Sequence, residues 1–505
     1  MTWLQDLRDQ QAHDEASYIV KEFDKQKPKI EIGGKVTENG LGIEFMYAEG
    51  QLLAREQYLP QIGEVLGERA RAEIVKRVIK DIVLIKVSYS EKMTDEAAAS
   101  DDSAAKGNGG NREGDGQPAE GNSESPERRQ PALLKLLDDI DAALGPGVAT
   151  LDHVLTVAGG GDPSPCPATE PQEVYDPVPY PPACPDGGER VRIYVADTGI
   201  VKDTVTSDNI PWLAGMTGDD DPSVLGSTIL PYGGHGTFVG GVIRCLAPGA
   251  EVVVRCVFDI AGSALESDFV PKLHEGFAYG AEIFHITVAS PTRCNFPLIA
   301  FEAWMADLFQ HKGVVCVVAA GNNGNRLPCW PAAFPGLISV GALGADWRSR
   351  AYFSNFGGWV DVYAPGQNLV NAFATGSYTC HVDPHDGEIR KFAGMAQWSG
   401  TSFSTPIVTG LIAARMARYG ESAREAAEAL LAQARAQAIP GVGPALYPSC
   451  DGDDEDCGRC DNSRRGCGCG RYGHGGDGSG CGGGSHGHDG CGGGGGHRRR
   501  GPMPR

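Results

Sequence analysis

Between Arg190 and about Arg435 short, almost uniformly apolar runs alternate with helix-length segments: "VRIYVAD", a helix opening near His235, "EVVVRCV", "DFVPKLHEGFAYGA", "EIFHITVA", "LIAFEAWMADLFQHKG", "VVCVVAAG" and "LISVGALG". A strand that is apolar on nearly every residue must bury both faces. Strands of that kind spaced by helices predict a parallel sheet covered on both sides, a doubly wound α/β fold. This unit is expected over residues 190–440.

The chain has 505 residues, more than one ordinary domain. Ahead of the α/β unit, "QLLAREQ", "YLPQIGEVLGERARAEIVKRV" and "DIVLIKVSY" read as strand, helix, strand. "PALLKLLDDIDAALGPG" reads as an amphipathic helix on Leu133, Leu134, Leu136 and Leu137, ended by Gly145 and followed by the strand-like "HVLTVAG". Together, residues 1–93 and 131–160 are expected to form one small α/β sandwich domain. The insert at 94–130 has almost no large apolar residue and is expected to be disordered, because it cannot bury enough surface to offset chain entropy. Residues 161–189 are a Pro-rich linker, and 441–505 a disordered Gly/Cys/His-rich tail.

The formal net charge is -21, from 44 Lys+Arg against 65 Asp+Glu. That balance argues against a nucleic-acid partner, which a phosphate-binding surface would have to attract. No apolar run is long enough for a membrane span. The first residues, "MTWLQDLRDQQAHDEASYIV", lack the basic start and apolar stretch of a secretory signal, so the expected location is cytoplasmic. In that setting Cys245, Cys256, Cys294, Cys316, Cys329 and Cys380 are expected to be reduced thiols.

Three stretches carry candidate chemistry. "VRIYVADTGI" delivers Asp197 at the carboxyl end of a buried strand, where open α/β sheets build their sites. "GGHGTFVGGVI" frames His235 with Gly234 and Gly236, which permit close approach by other groups. "SGTSFSTP" places Ser402 where a loop turns into the helix "IVTGLIAARMARYG", near N–H groups that favour negative charge. A carboxylate, an imidazole and a hydroxyl are the set needed for base-activated acyl transfer. The tetrahedral intermediate also needs a preorganised donor, and Asn322 follows Gly321 at the end of the strand "VVCVVAAGNNGN".

At these residues the chain resembles the subtilisin-like serine protease family, the subtilases. The likeness runs through "DTGI", "GHGTFVGGVI", "AAGNNG" and "GTSFSTP" in family order and covers about Arg190 to Arg435. It implies a serine endopeptidase acting on protein or peptide substrates. Ser402 would be the nucleophile, His235 the base and then acid, and Asp197 the group that orients the imidazole. Asn322 with the Ser402 N–H would form the oxyanion hole. No cofactor is needed for the chemistry. Thr401, Ser404 and Thr405 are then turn and cap hydroxyls. By its position and α/β pattern the N-terminal domain also fits the small prodomain of that family, an intramolecular partner, with any cut falling in the Pro-rich loop between Gly160 and Glu189; the alternative is an unrelated adaptor or recognition domain.

One departure concerns specificity: Ala289 and Ser290, in "FHITVASPT", stand where family members carry glycines, and their side chains narrow the expected cleft. "TGDDDPS", Asp219 to Asp221, is a candidate structural calcium loop without a recognisable ligand spacing. Cys457 and Cys460 form a CxxC without a second one at zinc-finger spacing. The competing functions are a silent peptide-binding scaffold and an acyl-transfer ligase that shares the first half-reaction.

Overall fold

Strand β6 (Arg192–Asp197) shows how the sheet is buried: Ile193 and Val195 face one apolar layer, Tyr194 and Ala196 the other. This is a computed structural model, and it describes residues 18–36, 43–90, 132–157, 168–174, 177–184, 190–259, 261–382 and 384–449. The insert at 94–130 and residues 450–505 of the tail lie outside them.

The N-terminal part forms an antiparallel sheet from β1 (Ile32–Val36), β2 (Ile43–Arg55), β3 (Ala70–Ile79), β4 (Ile82–Tyr89) and β5 (Ala149–Thr156), with helices α1 (Leu59–Leu66) and α2 (Ala132–Leu144). The predicted long helix after Tyr58 is corrected here. It stops at Leu66, where Gly67 adopts φ 57, and "ARAEIVKRVI" becomes β3, paired with β4 through Ile74 and Ile85. Gly accepts the left-handed turn that ends the helix, and the branched Ile74, Val75, Val78 and Ile79 favour a pleated surface. Helix α2 buries Leu133, Leu134, Leu136 and Leu137, the four expected positions.

In the α/β unit the next strands are the two-residue pieces β7 (Thr217–Gly218), β8 (Val224–Leu225) and β9 (Thr228–Ile229). They are followed by β10 (Glu251–Cys256), β11 (Ser263–Leu265), β12 (Ile283–Ile286), β13 (Val315–Ala319), β14 (Ile338–Leu343) and β15 (Val362–Pro365). Seven strands run parallel in the order β15-β14-β13-β12-β6-β10-β7. The order reverses at β6, so the crevice outside its carboxyl end is a topological switch point. A smaller sheet joins β16 (Leu369–Thr379) and β17 (Ile389–Trp398) to β9 and β8.

The described helices here are the short α3 (Lys202–Val205), α4 (His235–Leu246), α5 (Glu266–Tyr279), α6 (Ile299–Leu308), α7 (Thr401–Tyr419) and α8 (Ala423–Ala436). One sheet face packs on α4, α7 and α8, the other on α5 and α6. Leu53, Ile79, Ile82, Leu84, Leu155 and Val157 of the N-terminal part join the α5 and α6 layer. Strand β11 also completes the N-terminal sheet, pairing with β5 through Ala264 and Leu155.

Two boundaries differ from expectation. The linker is docked where it is described: Gln172 bridges Gln397, Tyr180 bridges Val370, and Trp398 Nε1 donates to Thr169 O at 2.6 Å. The ordered chain also continues past 441, since Tyr363 N donates to Pro444 O and Leu446 N to Tyr363 O, with Ala445 and Leu446 buried. These apolar residues had been read together with the Gly-rich segment that follows. The six body cysteines named above are all free thiols.

Candidate active site

Asp197 ends β6, His235 opens α4, Ser402 lies in the first turn of α7, and Asn322 follows β13; all four are buried. The glycines around His235 are required by contact. A Cβ on Gly236 would lie 2.3 Å from Gly199 O and 3.2 Å from Asp197 Oδ1, and one on Gly234, at φ 82, would lie 2.9 Å from the Phe373 ring. His235 can therefore approach the end of β6 closely, and its Nδ1 is 2.7 Å from Asp197 Oδ1.

Asp197 accepts two further bonds, from Thr198 N at 2.7 Å on Oδ1 and from Thr287 Oγ1 at 2.7 Å on Oδ2. Burial pushes its carboxyl upward, but the charge and hydrogen bond of His235, with those of Thr287 and Thr198, outweigh it and hold the pKa below the ordinary value. An ionised carboxylate at Nδ1 fixes the tautomer that leaves Nε2 as the proton acceptor. His235 Nε2 is buried without a hydrogen-bond partner among the described residues.

Asn322 Oδ1 accepts from Thr401 N at 2.8 Å and from Thr401 Oγ1 at 2.9 Å, and Thr401 Oγ1 in turn accepts from Gly321 N at 3.1 Å. The amide is thereby oriented, with Nδ2 as its donor end. Thr401 is thus an anchor for Asn322 and not only a turn hydroxyl. Ser404 and Thr405 bond back to Thr401 O within the helix, as cap-type hydroxyls do.

Ser402 Oγ does not donate to His235. It faces the N-terminal part instead, with Val157 O at 3.5 Å. Strand β5 runs into the site between two backbone edges. Thr156 pairs antiparallel with Ala289, Val157 N donates to Gly262 O at 3.0 Å, and Ser290 Oγ donates to Val154 O at 3.0 Å. Ala289 and Ser290, singled out as departures, are therefore the wall against which this strand lies.

The candidate calcium loop is occupied by protein partners. Asp219 pairs with Arg255 at 3.1 Å and Asp220 with Lys202 at 2.6 Å. Asp221 Oδ2 accepts from Thr198 Oγ1 at 3.0 Å and Gly234 N at 2.8 Å, and Oδ1 from Ser223 N at 2.8 Å. Thr198 Oγ1 also accepts from Gly236 N at 3.0 Å, so Asp221 and Thr198 buckle the His235 turn to the end of β6. Among the described residues no group of three acidic, His or Cys side chains is placed to hold a metal ion. No described helix is long and apolar enough to cross a membrane.

Sequence reasoning missed Thr198, Asp221, Thr287 and Thr401 as parts of this site. All four lie in stretches it had quoted, "DTGI", "TGDDDPS", "FHITVASPT" and "SGTSFSTP", and adjacency to Asp197 was the available signal for Thr198.

The chain is similar to known serine proteases. The "Thermophilic serine proteinase" of Bacillus sp. (strain AK1) is 31% identical over 224 residues, covering 41% of this chain and 48% of that protein. Thermitase of Thermoactinomyces vulgaris is 28% identical over 268 residues, covering 51% of this chain and 84% of its own. The match thus spans about half the length of the first relative. A solved structure of a cold adapted subtilisin-like serine proteinase is 23% identical over 53% of this chain and 92% of its own, with a TM-score of 0.40. The profile of the subtilase family matches residues 188–463, more than half of the sequence and the span that contains every residue of the site, and the chain belongs to that family.

Proposed function

We propose that the chain is a serine endopeptidase whose nucleophile is Ser402. The observation that carries this reading is the buried Asp197–His235 pair beside Ser402, with a peptide strand laid antiparallel through the cleft up to the hydroxyl. In the reaction Ser402 Oγ attacks the peptide carbonyl while its proton passes to His235 Nε2, and Asp197 stabilises the imidazolium. The developing oxyanion is held by Asn322 Nδ2 and the Ser402 N–H at the N-terminus of α7, donors already in place before the charge forms. His235 then gives its proton to the leaving amine, and water releases the acyl group by the reverse sequence. Besides the substrate and the attacking water, the groups that act in each step are side chains and backbone of this chain.

The N-terminal part acts in this reading as an intramolecular prodomain. Support comes from β5, which pairs with Ala289 as a substrate backbone would and brings Val157 O to 3.5 Å from Ser402 Oγ. The cut then falls at the end of β5, between Val157 and Gly159, ahead of the 160–189 loop first expected. The resting chain is closed, and it opens when this part is cut and leaves.

Ser402→Ala and His235→Ala are the direct test, each made in the full chain. Both are expected to abolish peptide hydrolysis and self-cleavage while the circular dichroism spectrum is kept, because the two groups act as one unit. Intact mass shows whether the wild type alone is cut near Val157. Normal turnover by Ser402→Ala would overturn the assignment.

A further inference from the structure

Two fully buried carboxyl groups lie where β5 meets α5, Asp152 on Ser267 and Glu266 one residue before it. Asp152, in β5, accepts from Ser267 N at 3.0 Å on Oδ1 and from Ser267 Oγ at 2.7 Å on Oδ2. Glu266, the first residue of α5, turns Oε1 to Ala300 N at 2.7 Å at the start of α6. Its Oε2 is buried with no partner among the described residues. Among the described residues no cation is bonded to either group. One carboxyl belongs to the N-terminal part and the other to the α/β unit, so they meet only while the two parts are docked.

We infer that the buried carboxyl groups of Asp152 and Glu266 form a pH-dependent latch, which holds the N-terminal part in the cleft while the pair carries a proton and loosens it as that proton is lost. A carboxylate buried away from water is costly, two such groups close together add repulsion, and a proton taken up relieves both. Burial pushes Asp152 up to about 7, against the bonds from Ser267, and burial together with Asp152 pushes Glu266 well above its usual range. After separation both groups face water and ionise in the ordinary carboxylate range. Docking therefore takes up protons. Its contribution is complete below the ordinary carboxylate pKa and is lost as pH rises through the docked values.

The surrounding groups do not reverse this sign. Lys76 of β3 and Asp268 of α5 act on Asp152 with opposite effect and pair with each other at the surface. Arg55 of β2 pairs with Glu302 of α6, and Lys80 with Asp307. Arg293 is clamped by Asp138 and Asp141 of α2. His153, the neighbour of Asp152, is the one opposing group. It is buried, its Nε2 accepts from Arg293 N at 3.2 Å, and burial pushes it down to about 3. Docking expels its proton only below the ordinary His range, so above about pH 6.5 the carboxyl pair alone sets the trend. The N-terminal part is then released toward alkaline pH.

This rests on the prodomain reading, but its test needs no catalysis, so its failure is distinct from failure of the protease assignment. The full chain carrying Ser402→Ala is compared with the same chain carrying Glu266→Gln in addition, by hydrogen exchange of β5 amides between pH 6.5 and 8.5. Gln keeps the bond from Ala300 N and has no charge to develop. After correction for intrinsic exchange, β5 in the Ser402→Ala chain is expected to lose roughly tenfold or more of its protection across this range. Glu266→Gln should lose several-fold less, while α7 amides stay protected in both. Asp152→Asn is the second variant, expected to match Glu266→Gln, and it decides the case if Glu266→Gln does not fold. Equal pH dependence in the parent and the folded variants, or equal loss in α7, would overturn the latch.

Discussion

Thr287 illustrates what the fold adds to a residue that carries no motif. Its hydroxyl donates to the Asp197 oxygen that His235 does not use. Thr287→Val removes that bond and leaves a buried carboxylate oxygen short of a donor, a loss of about 1.5–3 kcal/mol for a charged hydrogen bond. A less satisfied Asp197 positions the imidazole less firmly, so kcat is expected to fall roughly tenfold or more with KM little changed. Thr287→Ser should restore kcat; a kcat equal to wild type in Thr287→Val would contradict the role. Asp197, His235, Asn322 and Ser402 were legible because strand ends and flanking glycines mark them in one dimension. Thr287, Thr198 and Asp221 were not, because a hydroxyl or carboxylate looks alike in any loop until folding sets it beside Asp197. Asp221 was even read as a calcium candidate, although it ties the His235 turn to Thr198.

Helices α4 and α7 carry His235 and Ser402 at their N-termini and cross at Gly410. A Cβ there would lie 2.8 Å from Leu246 Cβ and 3.3 Å from Ile243 O. Gly410→Ala must push the two helices apart, at a cost of about 1–3 kcal/mol by the usual price of overpacking. Denaturant midpoints should fall accordingly, and turnover should fall further than stability explains, because the shift separates base from nucleophile. Unchanged stability would mean that the helices cross with slack. At this scale the α/β unit was readable because its central parallel strands, β6, β12, β13 and β14, are apolar on both faces. The error lay in β3, where a run of charged and branched residues mimics a helical period and only Gly67 marks the change. Strand β11 joining the N-terminal sheet was equally hidden, since pairing partners distant in sequence leave no local trace.

Over the whole molecule the two parts share one buried layer and one sheet, and the strand that joins them ends at the nucleophile. The sequence reading expected a small prodomain ahead of the α/β unit, bounded by the insert at 94–130 and the Pro-rich linker. Composition marks such bounds, but the shared layer and the β5–β11 pairing are set by residues distant in sequence and leave no mark in it. The closed arrangement and the assigned chemistry meet in one residue, Ser402. The measurement that tests the account most directly treats the full chain and its self-cleaved product with a fluorophosphonate probe and maps the adduct by mass spectrometry. The account predicts a single adduct on Ser402, faster in the cleaved product than in the intact chain, and absent from Ser402→Ala and His235→Ala. A hydrolytically active preparation with no adduct, or with its adduct on another residue, would contradict it.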